Sequence, residues 1–382
     1  MDGMVAALEC QRGLFEIPRE VAYLNNASFT PLPRLVREAG EAGVAVKSLP
    51  WAMQRDDGVI DRVRAAAAGF VGAEARDIAV VNSAAYGVAT AAANLDVGPG
   101  TRVLMIAGEF PSLALAWARL AEERGAVLDI VQPPGDGDWT AALLERIAAP
   151  GLPPVGVAAL TPVVWTDGSL IDLEALVAPL KAQGAAIVVD ATQGAGVLPL
   201  DVGRLGADYL VFPTYKWLLG PYSLAFMYVA PHRQEGRPLE QHGAGRVGGG
   251  GQPFSGVLGA MVEGAAKFDM GQRGNPVGLP MALAGMELLH GWGRAAMAAR
   301  MRATTDALAE VAEAAGGVVV GRRFRAPHVL GVRVADAAGA VRRLEARGVY
   351  VAERGGVLRV GAHVFNDEGD VARFGDALME AV

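Results

Sequence analysis

Between about Ile60 and Val229, apolar runs alternate with amphipathic stretches in a regular order. The runs DIAVVNS, TRVLMIAG, VGVAALTP, AAIVVDATQ, DYLVFP and LAFMYVA are continuous and β-rich, as strands covered on both faces must be. Between them the pattern predicts a small-residue helix from Ala85, a helix over Leu113 to Arg124 and another over Asp172 to Gln183. Buried strands separated by helices predict an α/β domain with a mostly parallel central sheet, its functional residues at strand C-termini.

The Gly-rich passage from Gly243 to Gly256, GAGRVGGGGQPFSG, supports neither helix nor strand and reads as a flexible connection. A long helical region follows over roughly Gly278 to Gly316, and then an alternating βαβ-like tail from Gly317 to Val382. The expected organisation is an N-terminal segment (1–30), a large domain (31–255), and an interdomain helical region with a small C-terminal α/β domain (256–382). A chain of 382 residues can build both cores. No repeat of fixed period interrupts this order.

Charge narrows the partners. With 34 Lys and Arg against 41 Asp and Glu, a net charge of -7 and no basic run, a nucleic-acid or anionic membrane surface is not expected. A cofactor-binding regulator of nucleic acid is disfavoured on the same ground. The N-terminal MDGMVAALECQRGLFEIPRE lacks a basic stretch followed by an apolar one, and no segment approaches the ~20 apolar residues of a membrane span. A soluble cytoplasmic protein is expected. Cys10 is the only cysteine and the five histidines lack ligand spacing, so no disulfide within the chain and no metal centre are expected. GRVGGGG opens no helix after a strand, which argues against dinucleotide binding.

Candidate chemistry begins with FPTYKWLLGP, where Lys216 stands among aromatic and aliphatic side chains. It is either a lysine that reaches out to water or one whose desolvated amine is a nucleophile, base or Schiff-base former. Asp190 ends a buried strand 26 positions earlier, the span of one βα step and a further strand. Alone it could be a turn or cap. A carboxylate facing an imine-forming lysine is what a pyridine cofactor requires, the acid keeping the ring nitrogen protonated and the lysine attaching at the other end. In VVNSAAYG, Ser83, Ala84 and Ala85 open a helix with side chains small enough for an anion to approach the backbone N–H groups.

Asp190 with Gln193, the YKWLLGP run and the N-terminal AYLNNASFTPLP resemble the class V aminotransferase family of fold-type I enzymes that use pyridoxal 5'-phosphate. The resemblance runs from about Ala22 to LRVGAHVFNDEGDV. It implies that Lys216 carries the internal aldimine, that Asp190 pairs with the pyridinium nitrogen, that Gln193 bonds the ring hydroxyl and that Phe110 covers the cofactor face. Thr214 and Tyr215 are implied at the phosphate with Ser83, Ala84 and Ala85. Arg359 is the implied grip on the substrate α-carboxylate, with Asn26 and Trp165 also on the substrate side. MGQRGNPVGLP resembles a segment that the family lends across a dimer interface, so Arg273 would reach the partner's substrate, Asn275 its cofactor, and the enzyme would be a homodimer.

Two departures shape the expected reaction. RGGVLRVG runs from Arg354 to Arg359 without room for the loop on which the family's desulfurases carry a persulfide cysteine, which disfavours cysteine desulfuration. Trp165 stands in VVWTDG where many members have Asn, which alters the pocket. The expectation is an aminotransferase-like enzyme acting on a small amino acid. The alternatives are a lyase or hydrolase of kynureninase or cysteine-conjugate type, or an epimerase, on the same cofactor.

Overall fold

The computed structural model describes residues 8–53, 58–249 and 252–381. The first seven residues of the N-terminal stretch, Gly250 and Gly251 of the Gly-rich passage and the last residue of the tail lie outside the described residues. Strand β1 (Ala22–Tyr23) and helices α1 (Arg34–Ser48) and α2 (Val59–Val71) come first. The sheet and its helices follow in the order β2 (Ile78–Val81), α3 (Ala84–Asn94), β3 (Arg102–Ile106), α4 (Pro111–Arg124), β4 (Val127–Val131), α5 (Trp139–Ala148), β5 (Val155–Leu160), α6 (Leu173–Ala182), β6 (Ala186–Asp190), β7 (Tyr209–Pro213) and β8 (Ala225–Val229).

These seven strands lie side by side as β2-β8-β7-β6-β5-β3-β4, and β8 runs against both of its neighbours while the other pairs are parallel. Every residue of β2, β3, β6, β7 and β8 is buried, which is why their sequences are continuous apolar runs. One apolar core fills each face of the sheet. Edge strand β4 was not expected, because VLDIV alternates exposed and buried positions around Asp129. Helix α3 lies close on β7 at Gly87, where a Cβ would stand 2.5 Å from Val211 Cγ1.

The expected single helical region is two helices, α7 (Gly278–Trp292) and α8 (Arg294–Ala314), separated at Gly293 with φ +78°. Helix α7 packs on α1 and α2, and Gly285 approaches the carbonyls of Leu218 and Leu219, so this helix braces the chain just after Lys216.

The tail adds β9 (Val318–Val319), β10 (Val329–Arg333), α9 (Ala337–Glu345), β11 (Val349–Tyr350), β12 (Ala352–Arg354), β13 (Val357–Gly361) and α10 (Glu368–Met379) around a third core. Its sheet, ordered β12-β13-β10-β9, is antiparallel throughout, which corrects the βαβ-like expectation. Gly355 and Gly356, with φ +59° and +82°, make a two-residue turn that folds β13 directly back on β12. Strand β1 pairs with β11, tying the N-terminal segment to this domain. Asp367 and Asp370 form a reciprocal cap on α10, a feature that contributes roughly 1 kcal/mol.

Candidate active site

The C-terminal ends of β2, β3, β5, β6 and β7 open on one cavity of about 260 Å³, lined by residues that include Ser83, Ala84, Ala85, Phe110, Trp165, Asp190, Gln193, Tyr215 and Lys216. The cavity thus brings together nine of the candidates named from the sequence and from the family resemblance.

Lys216 follows β7 and is 8% exposed. No carboxylate lies within ion-pair distance of its Nζ among the described residues. Burial, with help from Arg359 and against the pull of Asp190, brings the amine down from its ordinary value to about 8. Phe110 and Tyr215 hold the amine between rings, 5.9 and 5.5 Å from their centroids. Tyr215 in turn stacks on Tyr222 at 4.4 Å.

Asp190 ends β6, buried. Its Oδ1 accepts from Thr192 N at 2.9 Å and from Thr192 Oγ1 at 2.5 Å, which leaves Oδ2 without a partner among the described residues. Burial pushes this carboxyl up, and the Thr192 bonds and Lys216 pull against it. Gln193 accepts from Trp217 Nε1 at 2.8 Å and donates to Ala27 O at 3.1 Å, so its amide is oriented with one N–H still to place.

Beneath them, Trp217 meets the His328 ring edge-on at 4.3 Å and stacks with His363 at 5.8 Å. His328 Nε2 donates to the Gln193 carbonyl at 2.6 Å, which sets its tautomer. Burial lowers both histidines to about 3, so the cluster that orients Gln193 is aromatic and uncharged.

On the phosphate side, Ser83 caps α3 by accepting from Tyr86 N at 3.1 Å, which leaves the first-turn N–H groups facing the cavity end. Trp165 donates from Nε1 to Gly108 O at 2.8 Å and meets Phe110 edge-on at 5.3 Å. Arg359, on β13 and 2% exposed, donates from Nη1 to Trp165 O at 2.8 Å and from Nη2 to Ser28 Oγ. Its Nε is enclosed without a partner.

Five candidates are not part of the cavity lining, Arg359 among them, and the other four are turned elsewhere. Thr214, fully buried, turns its hydroxyl to the carbonyls of Pro221 and Leu224, 2.5 and 3.0 Å away, and closes the loop before β8 instead of facing a phosphate. Asn26 donates to Gly361 O at 2.7 Å and ties its segment to β13. Asn275 accepts from Val277 N and Gly278 N at the start of α7, and Arg273 pairs with Asp269.

Glu109 went unread, although it stands beside Phe110 at the end of β3, where strand-end logic could have found it. Its Oε1 accepts from Phe110 N at 2.7 Å, while Oε2 is enclosed without a partner. Burial raises this acid to about 8, with a further push from Asp190. A carboxyl whose folded value is raised binds more protons folded than unfolded, so its unfavourable contribution grows as pH rises from about 4.5 to 8. Cofactor-free Glu109→Gln protein should melt above the parent at pH 8, with the gap closing toward pH 4.5. Equal melting temperatures at pH 8 in parallel calorimetric scans would contradict this.

The family described as aminotransferase class-V matches residues 23–374. Isopenicillin N epimerase of Streptomyces clavuligerus is 27% identical over 238 residues, 60% of this chain and 59% of that protein. Kynureninase of Deinococcus radiodurans is 32% identical over 233 residues, 58% of this chain and 54% of that protein. The matched stretch thus spans little more than half the length of either relative. The fold is similar to that of the apo cysteine desulfurase from Thermococcus onnurineus NA1, with a TM-score of 0.83 at 20% identity over 98% of this chain and 99% of that one. This similarity does not disfavour desulfuration, contrary to the expectation from sequence. What stands against a protein persulfide is local: the Gly355-Gly356 turn carries no cysteine, and Cys10 lines another cleft, its Sγ 3.4 Å from Phe365 O.

Proposed function

The chain belongs to the class V aminotransferase family, whose cofactor is pyridoxal 5'-phosphate, and from that premise we propose that it transfers the amino group of a small amino acid. The residues present fit the cofactor: a buried lysine with an unpartnered amine, an acid with one free oxygen, and a capped helix start share one cavity. In this reading Lys216 attaches the cofactor, Asp190 holds its ring nitrogen, Gln193 its ring hydroxyl and Phe110 its face. The N–H groups at Ser83, Ala84 and Ala85, with Tyr215, hold its phosphate. When bound, the group supplies a conjugated ring that accepts the electron pair left when a bond at the substrate Cα breaks.

The protein's own residues then divide the remaining work. Arg359 receives the α-carboxylate through its planar fork, with Trp165 closing the pocket beside it. Lys216 Nζ, brought down to about 8, would be a base of suitable strength near neutral pH to take and return the α-proton. Asp190 would face the ring nitrogen with its free oxygen and favour protonation there. The uncharged cluster of Trp217, His328 and His363 fixes the orientation of Gln193.

The observation that carries the reading is the neutral-leaning, unpartnered Lys216 beside Asp190 in a cavity whose described lining has no cysteine or histidine. A homodimer belongs to the same reading. It is supported by Trp51, Phe254, Val257 and Leu258, 74–82% exposed on this chain, and by Arg273 and Asn275 lying away from its own cavity. A cytoplasmic setting is read from the single cysteine. Among the described residues, no helix is long and apolar enough to cross a membrane.

Stoichiometric holoenzyme given an amino acid and no keto acid should stop after one turnover with its visible absorbance lost, and a keto acid should restore it. Repeated turnover without acceptor, releasing pyruvate, alanine or a thiol, would make the enzyme a lyase or hydrolase. Racemised substrate with an unchanged cofactor would make it an epimerase.

A further inference from the structure

Two arginines, not one, stand on the substrate side. In the antiparallel pairing of β12 and β13, Ala352 lies opposite Arg359, so Arg354, two residues along, projects from the same face. Arg354 Nη2 donates to Ser28 Oγ at 3.3 Å, and the same oxygen accepts from Arg359 Nη2. Both guanidiniums also flank the Trp165 ring, their carbons 6.0 and 5.8 Å from its centroid.

Neither arginine has an ion-pair partner among the described residues. Arg354 otherwise donates only to the carbonyl of Glu353, whose side chain is turned to Gly356 N. Like charges held at one hydroxyl repel, and Arg359 shows it: burial first, and then Arg354, lower its guanidinium to about 10. Both arginines also lower Lys216. Held beside Trp165 at the cavity wall with no carboxylate partner, two guanidiniums can receive two anionic groups, and an α-carboxylate supplies one.

We propose that the amino-acid substrate carries a second anionic group on its side chain, received by Arg354 while Arg359 holds the α-carboxylate. This rests on the reading of the cavity as an amino-acid site. Arg354 suits the outer position, being half-buried and at the turn end of the hairpin, whereas Arg359 is enclosed. The chemical class is therefore an acidic α-amino acid whose distal charge lies near Trp165.

The test uses holoenzyme titrated with L-aspartate, L-asparagine, L-glutamate and L-glutamine, read by cofactor absorbance and by calorimetry. At least one acidic member should bind tenfold or more tighter than its amide. In Arg354→Gln that ratio should fall below threefold, and Arg354→Lys should keep part of it. A ratio near one in the parent protein, which needs no variant to measure, would overturn the proposal. So would a preference unchanged in Arg354→Gln, or both members of a pair weakened alike, since the two arginines would then share one carboxylate. If none of the four perturbs spectrum or heat, the underlying amino-acid reading fails, a result distinct from loss of the acidic preference.

Discussion

Replacing Lys216 with alanine is expected to lower turnover by about 10⁴-fold or more, since it removes both the covalent attachment and the proton carrier, and proton transfer alone is worth up to about 10⁴. The purified variant should take up cofactor without a borohydride-fixable bond, whereas the parent should yield its label on the peptide containing Lys216. The pH dependence of attachment adds a check with a definite sign. Burial favours the neutral amine, so uptake by cofactor-free parent protein should rise with pH through about 8, where an exposed lysine would require a pH above 10. Label recovered from Lys181 or Lys267 would refute the assignment. Lys181 is in any case paired with Asp208 at 2.8 Å, and Lys267 lies outside the cavity lining.

Asp190→Ala should act more gently and in a distinguishable way. Loss of the charge beside the ring nitrogen should lower turnover by about 10²- to 10³-fold, the range for removing one preorganised electrostatic contact. Borohydride fixation on Lys216 should persist, because the attachment point is intact. Unchanged turnover would reduce Asp190 to a holder of the turn through Thr192. In the parent, protonation of Asp190 is favoured by burial, and a cationic ring nitrogen placed against its free oxygen would oppose it.

The parallel sheet was legible because strands buried on both faces leave an unmistakable apolar run, and the cavity followed from asking what stands at their C-terminal ends. Asp190 was found that way, Lys216 from its apolar setting, and Gln193 and Phe110 through the family resemblance. What escaped was set by geometry that composition does not encode. VLDIV is an edge strand and lacks the continuous signal. Thr214 looks like a phosphate ligand in sequence, yet a side chain beside a tight loop is drawn to the nearest free carbonyls, here those of Pro221 and Leu224. Glu109 is unremarkable until its neighbours remove its water. Arg354 acquires meaning only when the two-glycine turn sets it on the same face as Arg359.

The pairing of β1 with β11 bears on how the molecule comes to exist. All strands of the sheet that holds Lys216, Asp190 and the helix start have emerged once the chain has passed β8. The wall that holds Arg359 joins residues 331 positions apart at Ser28, and Asn26 meets Gly361 across 335. During synthesis the N-terminal segment must wait, unpaired, for almost the whole chain to emerge, and loop closure over so long a span is slow. The nascent protein therefore passes through a stage in which the strands around Lys216 have emerged and the strand carrying Arg359 has not. The two arginines proposed to receive the substrate are thus the last part of the site to be placed.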